Sequence, residues 1–181
     1  MIYSISLHNA GLIAGGLLAL LSVLAIFLPA HDLLPRFPRS RVAGAVLLTV
    51  DLVWSVWLLA TMEMGEFSNF RRPLLIILPI GFLLVLRFVD EFLAVRALGI
   101  LCLLAAEPLL DAAFLRPEMS RLLLVVLAYL MIVAGLFWVT MPYLLRDQID
   151  WSTRSLGHWR FVSGVGFIFG AAILICAFVV Y

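Results

Sequence analysis

Lysine is absent from the 181 residues, and all twelve basic positions are arginine. Charge of either sign is scarce: 13% of residues are charged and 65% hydrophobic, against about 25% and about 45–50% in ordinary soluble domains. With a mean hydropathy of +1.18, a water-soluble globule is excluded and the bilayer is the solvent. A net charge of +1 with no basic patch excludes a nucleic-acid partner. Only two cysteines occur, Cys102 and Cys176, each inside an apolar run. They make neither a disulfide framework nor a metal site and read as small buried hydrophobes. The three histidines, His8, His31 and His158, fall at span ends or in loops, so a haem held between two histidines within the bundle lacks its ligands. HExxH, GxSxG, CxxC and P-loop patterns are all missing. Ser163, close after His158 at a helix start, does not make a membrane protease. The expectation is a protein that is not an enzyme and that holds no cofactor and no metal.

What is present is a series of apolar runs bounded by charges and turn residues. Six spans are expected: Leu7–Leu28, Val42–Met62, Pro73–Val89, Phe92–Phe114, Leu122–Leu145 and Trp159–Val180. Runs such as LLIILPIGFLLVL do not alternate as barrel strands must, whereas helices satisfy their own backbone polar groups in lipid. No Lys or Arg precedes Arg36, so the first run lacks the basic start of a signal peptide and is expected to be a retained span. Connections are short. Spans three and four meet almost directly at Asp90-Glu91, as a tight hairpin or as one helix that breaks there. The fold class is therefore an all-α, polytopic transmembrane bundle of six spans in three hairpins, with residues 1–181 forming a single integral membrane domain. In size and hydropathy the layout resembles the substrate-binding components of vitamin importers, but no motif carries that resemblance and it transfers no site.

Arginine placement orients the chain. Arg36, Arg39, Arg41, Arg87, Arg96, Arg146, Arg154 and Arg160 fall in or beside loops one, three and five, whereas Arg71, Arg72, Arg116 and Arg121 flank loops two and four. The first group should be cytoplasmic, which places both termini outside, in a multi-pass protein of the plasma or inner membrane. The even-numbered spans begin Arg41-Val-Ala-Gly44, Arg96-Ala-Leu-Gly99 and Arg160-Phe-Val-Ser-Gly164, consistent either with a threefold repeat of hairpins or with the ordinary use of Arg and a small residue at span starts.

Acidic residues within a span cost about 2.5–3.5 kcal/mol at the helix centre, so each asks for a reason. Asp51 lies about 15 Å past Arg41 and Glu107 about 16 Å past Arg96 at 1.5 Å per residue, both near the midplane. Asp111 is one turn beyond Glu107, and Pro108 frees a carbonyl in the preceding turn. Asp51, Glu107 and Asp111 are thus candidates for a proton or cation site, with Ser55, one turn from Asp51, and Tyr129, at similar depth, as hydrogen-bond donors. The alternatives are that protonated carboxyls hold the bundle or a partner subunit in register, or that span four ends near Pro108 and leaves Glu107 and Asp111 at the headgroups. Arg87, Asp90, Glu91 and Arg96 read as a membrane-edge charge cluster.

Small residues recur at every fourth position in span one, at Gly11, Gly15 and Ala19, and in span six at Gly166 and Gly170. That spacing lets helix backbones approach closely, which is how helices associate in lipid. The segment RDQIDWSTRSLGHWR, with Trp151 and Trp159, reads as interfacial and as the first place to seek a partner-docking surface. These features lead to a small non-catalytic integral membrane subunit of a larger assembly, with the lipid bilayer and other membrane subunits, of its own or another kind, as partners. The other reading is a small proton- or cation-coupled transporter or channel working through Asp51 and Glu107.

Overall fold

The computed structural model describes residues 3, 5–27, 34–89 and 92–180. Its helices are α1 (Leu7–Phe27), α2 (Arg41–Thr61), α3 (Arg71–Phe88), α4 (Leu93–Ala113), α5 (Arg121–Thr140), α6 (Tyr143–Thr153) and α7 (Leu156–Val179). All except α6 lie in segments long and apolar enough to cross a membrane, and the chain is a multi-pass membrane protein.

Capping explains where the boundaries depart from expectation. Ser40 and Ser155 each accept a hydrogen bond from the amide three residues on, at 3.2 Å, so α2 starts at Arg41 rather than Val42 and α7 at Leu156 rather than Trp159. Span five stops at Thr140 rather than Leu145. Pro142 has no N–H with which to continue the ladder, and Leu145 belongs to α6, where it is buried with Ile149 and Ser152. The Trp138 indole N–H donates to Gln148 Oε1 at 3.2 Å, tying the end of α5 to α6. Leu28, His31, Asp90 and Glu91 lie outside the described residues, and with them the two acids of the proposed charge cluster. Phe92, in the left-handed region at φ 56°, directly precedes α4.

Packing follows small residues rather than chain order. α4 is the central helix, and its buried set is mostly Ala, Gly and Pro. It contributes Ala112 and Ala113 to a core with Leu7, Ala10, Leu124 and Ile173. At the opposite end Leu93 and Ala97 pack with Leu48, and Val95 packs with Leu145 and Ile149. Against α4 lie α2 and α5, while α1 and α7 pair with each other and α3 rests on the outside of α2. The expected three hairpins are therefore not the packed pairs. Among the described residues spans one and two, three and four, and five and six touch little, because the smallest side chains sit on faces that point to non-consecutive partners.

Glycine makes these contacts possible. A Cβ on Gly15 would stand 3.0 Å from the Gly170 carbonyl oxygen, and one on Gly170 would stand 2.7 Å from the Ala19 amide. Gly99 and Gly135 cross likewise between α4 and α5, each facing the other's carbonyl oxygen, and Gly44 faces the Ala94 amide at 2.8 Å. Gly164 meets nothing within 4 Å, so the three glycines of the possible repeat occupy different environments. The α1–α7 pair is also pinned at both ends: His8 Nδ1 lies 2.7 Å from the Ala177 carbonyl oxygen, and the Trp159 indole N–H donates to the Ala25 carbonyl at 2.7 Å. The two helices are thus antiparallel.

Replacing Gly15 or Gly170 by Leu should lower stability by more than about 2 kcal/mol, since the obstructing atoms are backbone. Gly81→Leu and Gly164→Leu, facing open space, should cost little. Thermal unfolding in mild detergent, read by a thiol dye reaching Cys102 and Cys176, compares the four.

Candidate functional site

On α2 the residues Gly44, Leu48, Asp51 and Leu58 are buried and Ser55 is half-buried. Their three- and four-residue spacing makes one helical face, which turns to α4. Asp51 is 3% exposed, and neither carboxylate oxygen has a hydrogen-bond partner among the described residues. Cys102 of α4 lies within electrostatic reach of it. Neither Ser55 nor Tyr129 donates to Asp51, and Tyr129 stands exposed on α5.

Glu107 occupies a different place. Gly44 abuts Leu93 and Ala94, so α2 and α4 run parallel and Asp51 stands level with about residue 100 of α4. Glu107 is six or seven residues further on, about 10 Å along the axis, well beyond hydrogen-bonding distance. The structure therefore does not join Asp51 and Glu107 into one site. α4 continues through Pro108 to Ala113, so the helix does not end at Pro108, and Glu107 lies about 9 Å inside its end.

Glu107 is exposed and lines a groove of about 620 Å³ with Leu103, Ala106, Leu110, Asp111 and Phe114, facing Ile132 of α5. Asp111 and Phe114 also line an adjoining cavity of about 430 Å³ that includes Tyr3, Ser6 and Arg116. Tyr3 was not singled out by sequence. Its hydroxyl accepts the Trp54 indole N–H at 2.7 Å, and its ring lies 5.6 Å from that of Trp57. Burial holds its phenol above the ordinary value, the Trp54 hydrogen bond opposes this, and nearby Glu107 adds to it. Nothing in the sequence specified the pairing of Tyr3 with Trp54.

Gly11, Gly15 and Ala19 are buried along α1, and Gly166 and Gly170 lie opposite that helix on α7, Gly166 against Ser22 and Gly170 against Ala19. The interfacial segment is helical in α6. Its buried side faces the protein, and Trp151 stacks on His158 at 5.0 Å. Among the described residues no group of three His, Cys, Asp or Glu side chains could hold a metal.

A family model described as cell division protein CrgA matches residues 111–177, from the last turn of α4 to the last turns of α7 and less than half of the chain. It is a cell division protein family rather than an enzyme family, in keeping with the missing catalytic motifs. No curated protein and no solved structure matches the chain.

A buried carboxyl without partners costs about 1–3 kcal/mol or more. Asp51→Leu, close in shape and apolar, should therefore raise thermal stability by about that amount, whereas Asp51→Arg should destabilise strongly by placing a charge against α4. The same detergent unfolding assay reads both, and a less stable Asp51→Leu variant would show that the carboxyl is satisfied.

Proposed function

We propose that this chain is a non-catalytic, multi-pass subunit of a membrane assembly that serves cell division. The observation that carries the reading is the similarity of residues 111–177 to a cell division protein family, a stretch comprising α5, the interfacial α6 and α7. Supporting it, the chain is nearly all membrane helix, its connections are short, and no catalytic set is present. The whole of residues 1–181 acts as one membrane unit in this reading. α3 has no buried residue, which leaves it available to lipid or to a neighbouring subunit.

The arginine distribution supports an orientation with α6 and the 34–39 segment in the cytoplasm and both termini outside. On that orientation α6 displays Arg146, Asp147, Asp150 and Trp151 towards cytoplasmic partners, while Leu145 and Ile149 anchor it to the bundle. A transporter working through Asp51 and Glu107 has less support: Asp51 is enclosed between α2 and α4, and Glu107 opens on a separate groove.

After extraction in mild detergent the protein should migrate on native gels in a complex much larger than itself, and its depletion should delay septation and lengthen cells. Migration alone, as a monomer or simple homo-oligomer, would sink the subunit reading. A reporter that is active only outside the membrane, fused after Tyr181, should be active.

A further inference from the structure

The geometry points to the α4–α5 groove as the docking site for a partner transmembrane helix that carries one Arg or Lys in its membrane-embedded part. This deepens the subunit reading above and rests on it for the existence of a partner. Leu103, Ala106, Glu107, Leu110, Asp111 and Phe114 recur at three- and four-residue spacing over three turns, roughly 16 Å of helix. That is the shape of a helix-packing face: its inner edge is taken by α5, where Leu103 abuts Gly135 and Ala106 is buried, while Glu107 and Phe114 on its outer edge stay exposed, and no helix among the described residues covers them.

The charge on this face selects the occupant. Glu107 and Asp111 make no hydrogen bond or ion pair among the described residues, although Arg116 lines the adjoining cavity. Carboxylates within spans pair with a countercharge. Glu107 lies about 9 Å inside the end of α4, deeper than the amines of lipid headgroups, which stay at the interface. A basic side chain on a neighbouring helix can be set at that depth, and its stem can reach outward to Asp111 one turn away.

The test uses the full-length protein in phosphatidylcholine vesicles and two synthetic, tryptophan-free Leu/Ala transmembrane helices carrying dansyl. One has a single Arg about 9 Å from its end; the other has Leu there. Energy transfer from the protein's tryptophans, with Trp54 and Trp57 on the neighbouring helix, should half-saturate at an about tenfold lower peptide-to-lipid ratio for the Arg helix. Glu107→Gln combined with Asp111→Asn should abolish the preference, and Glu63→Gln, outside the groove, should keep it. Glu107→Arg should instead prefer a helix bearing Glu at the same depth, which guards against a variant that merely folds poorly. Equal transfer from both helices, or a preference that survives the double substitution, overturns the proposal. A large native complex with no peptide preference sinks only the groove, whereas a protein that migrates alone yet prefers the Arg helix sinks the subunit reading.

Discussion

Backbone-to-backbone contact at glycine holds this bundle together. Lipid offers no water to expel, so two helices gain from meeting only where their surfaces come close enough for dispersion and for weak polar contact along the backbone. Gly15 with Gly170, Gly99 with Gly135, and Gly44 with Ala94 supply three such approaches. Together they account for the pairs α1–α7, α4–α5 and α2–α4. Helices without a facing glycine or alanine stay at the rim, as α3 does: Gly81 lies in open space and no residue of the helix is buried.

Polar groups then trim what glycine begins. The α1–α7 pair carries a hydrogen bond at each end, from His8 to the Ala177 carbonyl and from Trp159 to the Ala25 carbonyl. In a low-dielectric medium such bonds resist sliding as well as separation. Tyr3 and Trp54 join the start of the chain to α2 in the same way. Against this economy the carboxylates stand out. Among the described residues Asp51 is enclosed without a partner, and Glu107 is exposed on α4. The first is a cost borne inside the bundle. The second opens on the groove between α4 and α5.

The region similar to the cell division family begins at Asp111 and ends at Ala177, so it takes in α6 and both helices that flank it. α6 exists because Pro142 ends α5 and because Leu145 and Ile149 find a place against Val95 and the 34–39 segment. A polar stretch that reads as interfacial is thereby held in part as a helix, with Asp147, Asp150 and Trp151 exposed.

Six spans, their approximate limits and the sorting of arginines were legible in the sequence, because hydropathy and turn residues are local properties that lipid enforces span by span. The small-residue stripes of the first and last spans were legible too, since their spacing is written in consecutive residues. Which stripe meets which was not: Gly11, Gly15 and Ala19 had no label directing them to Gly166 and Gly170 rather than to another protein, and Gly99 and Gly135 drew no notice as a pair. The same holds for the acids. Position along a helix follows from counting residues, so Asp51 and Glu107 could be placed well inside their helices from sequence, as they are. Whether they face each other depends on helix rotation and register across an interface, which are non-local. Tertiary packing set that register through Gly44 against Leu93 and Ala94, enclosed Asp51 and turned Glu107 to the groove.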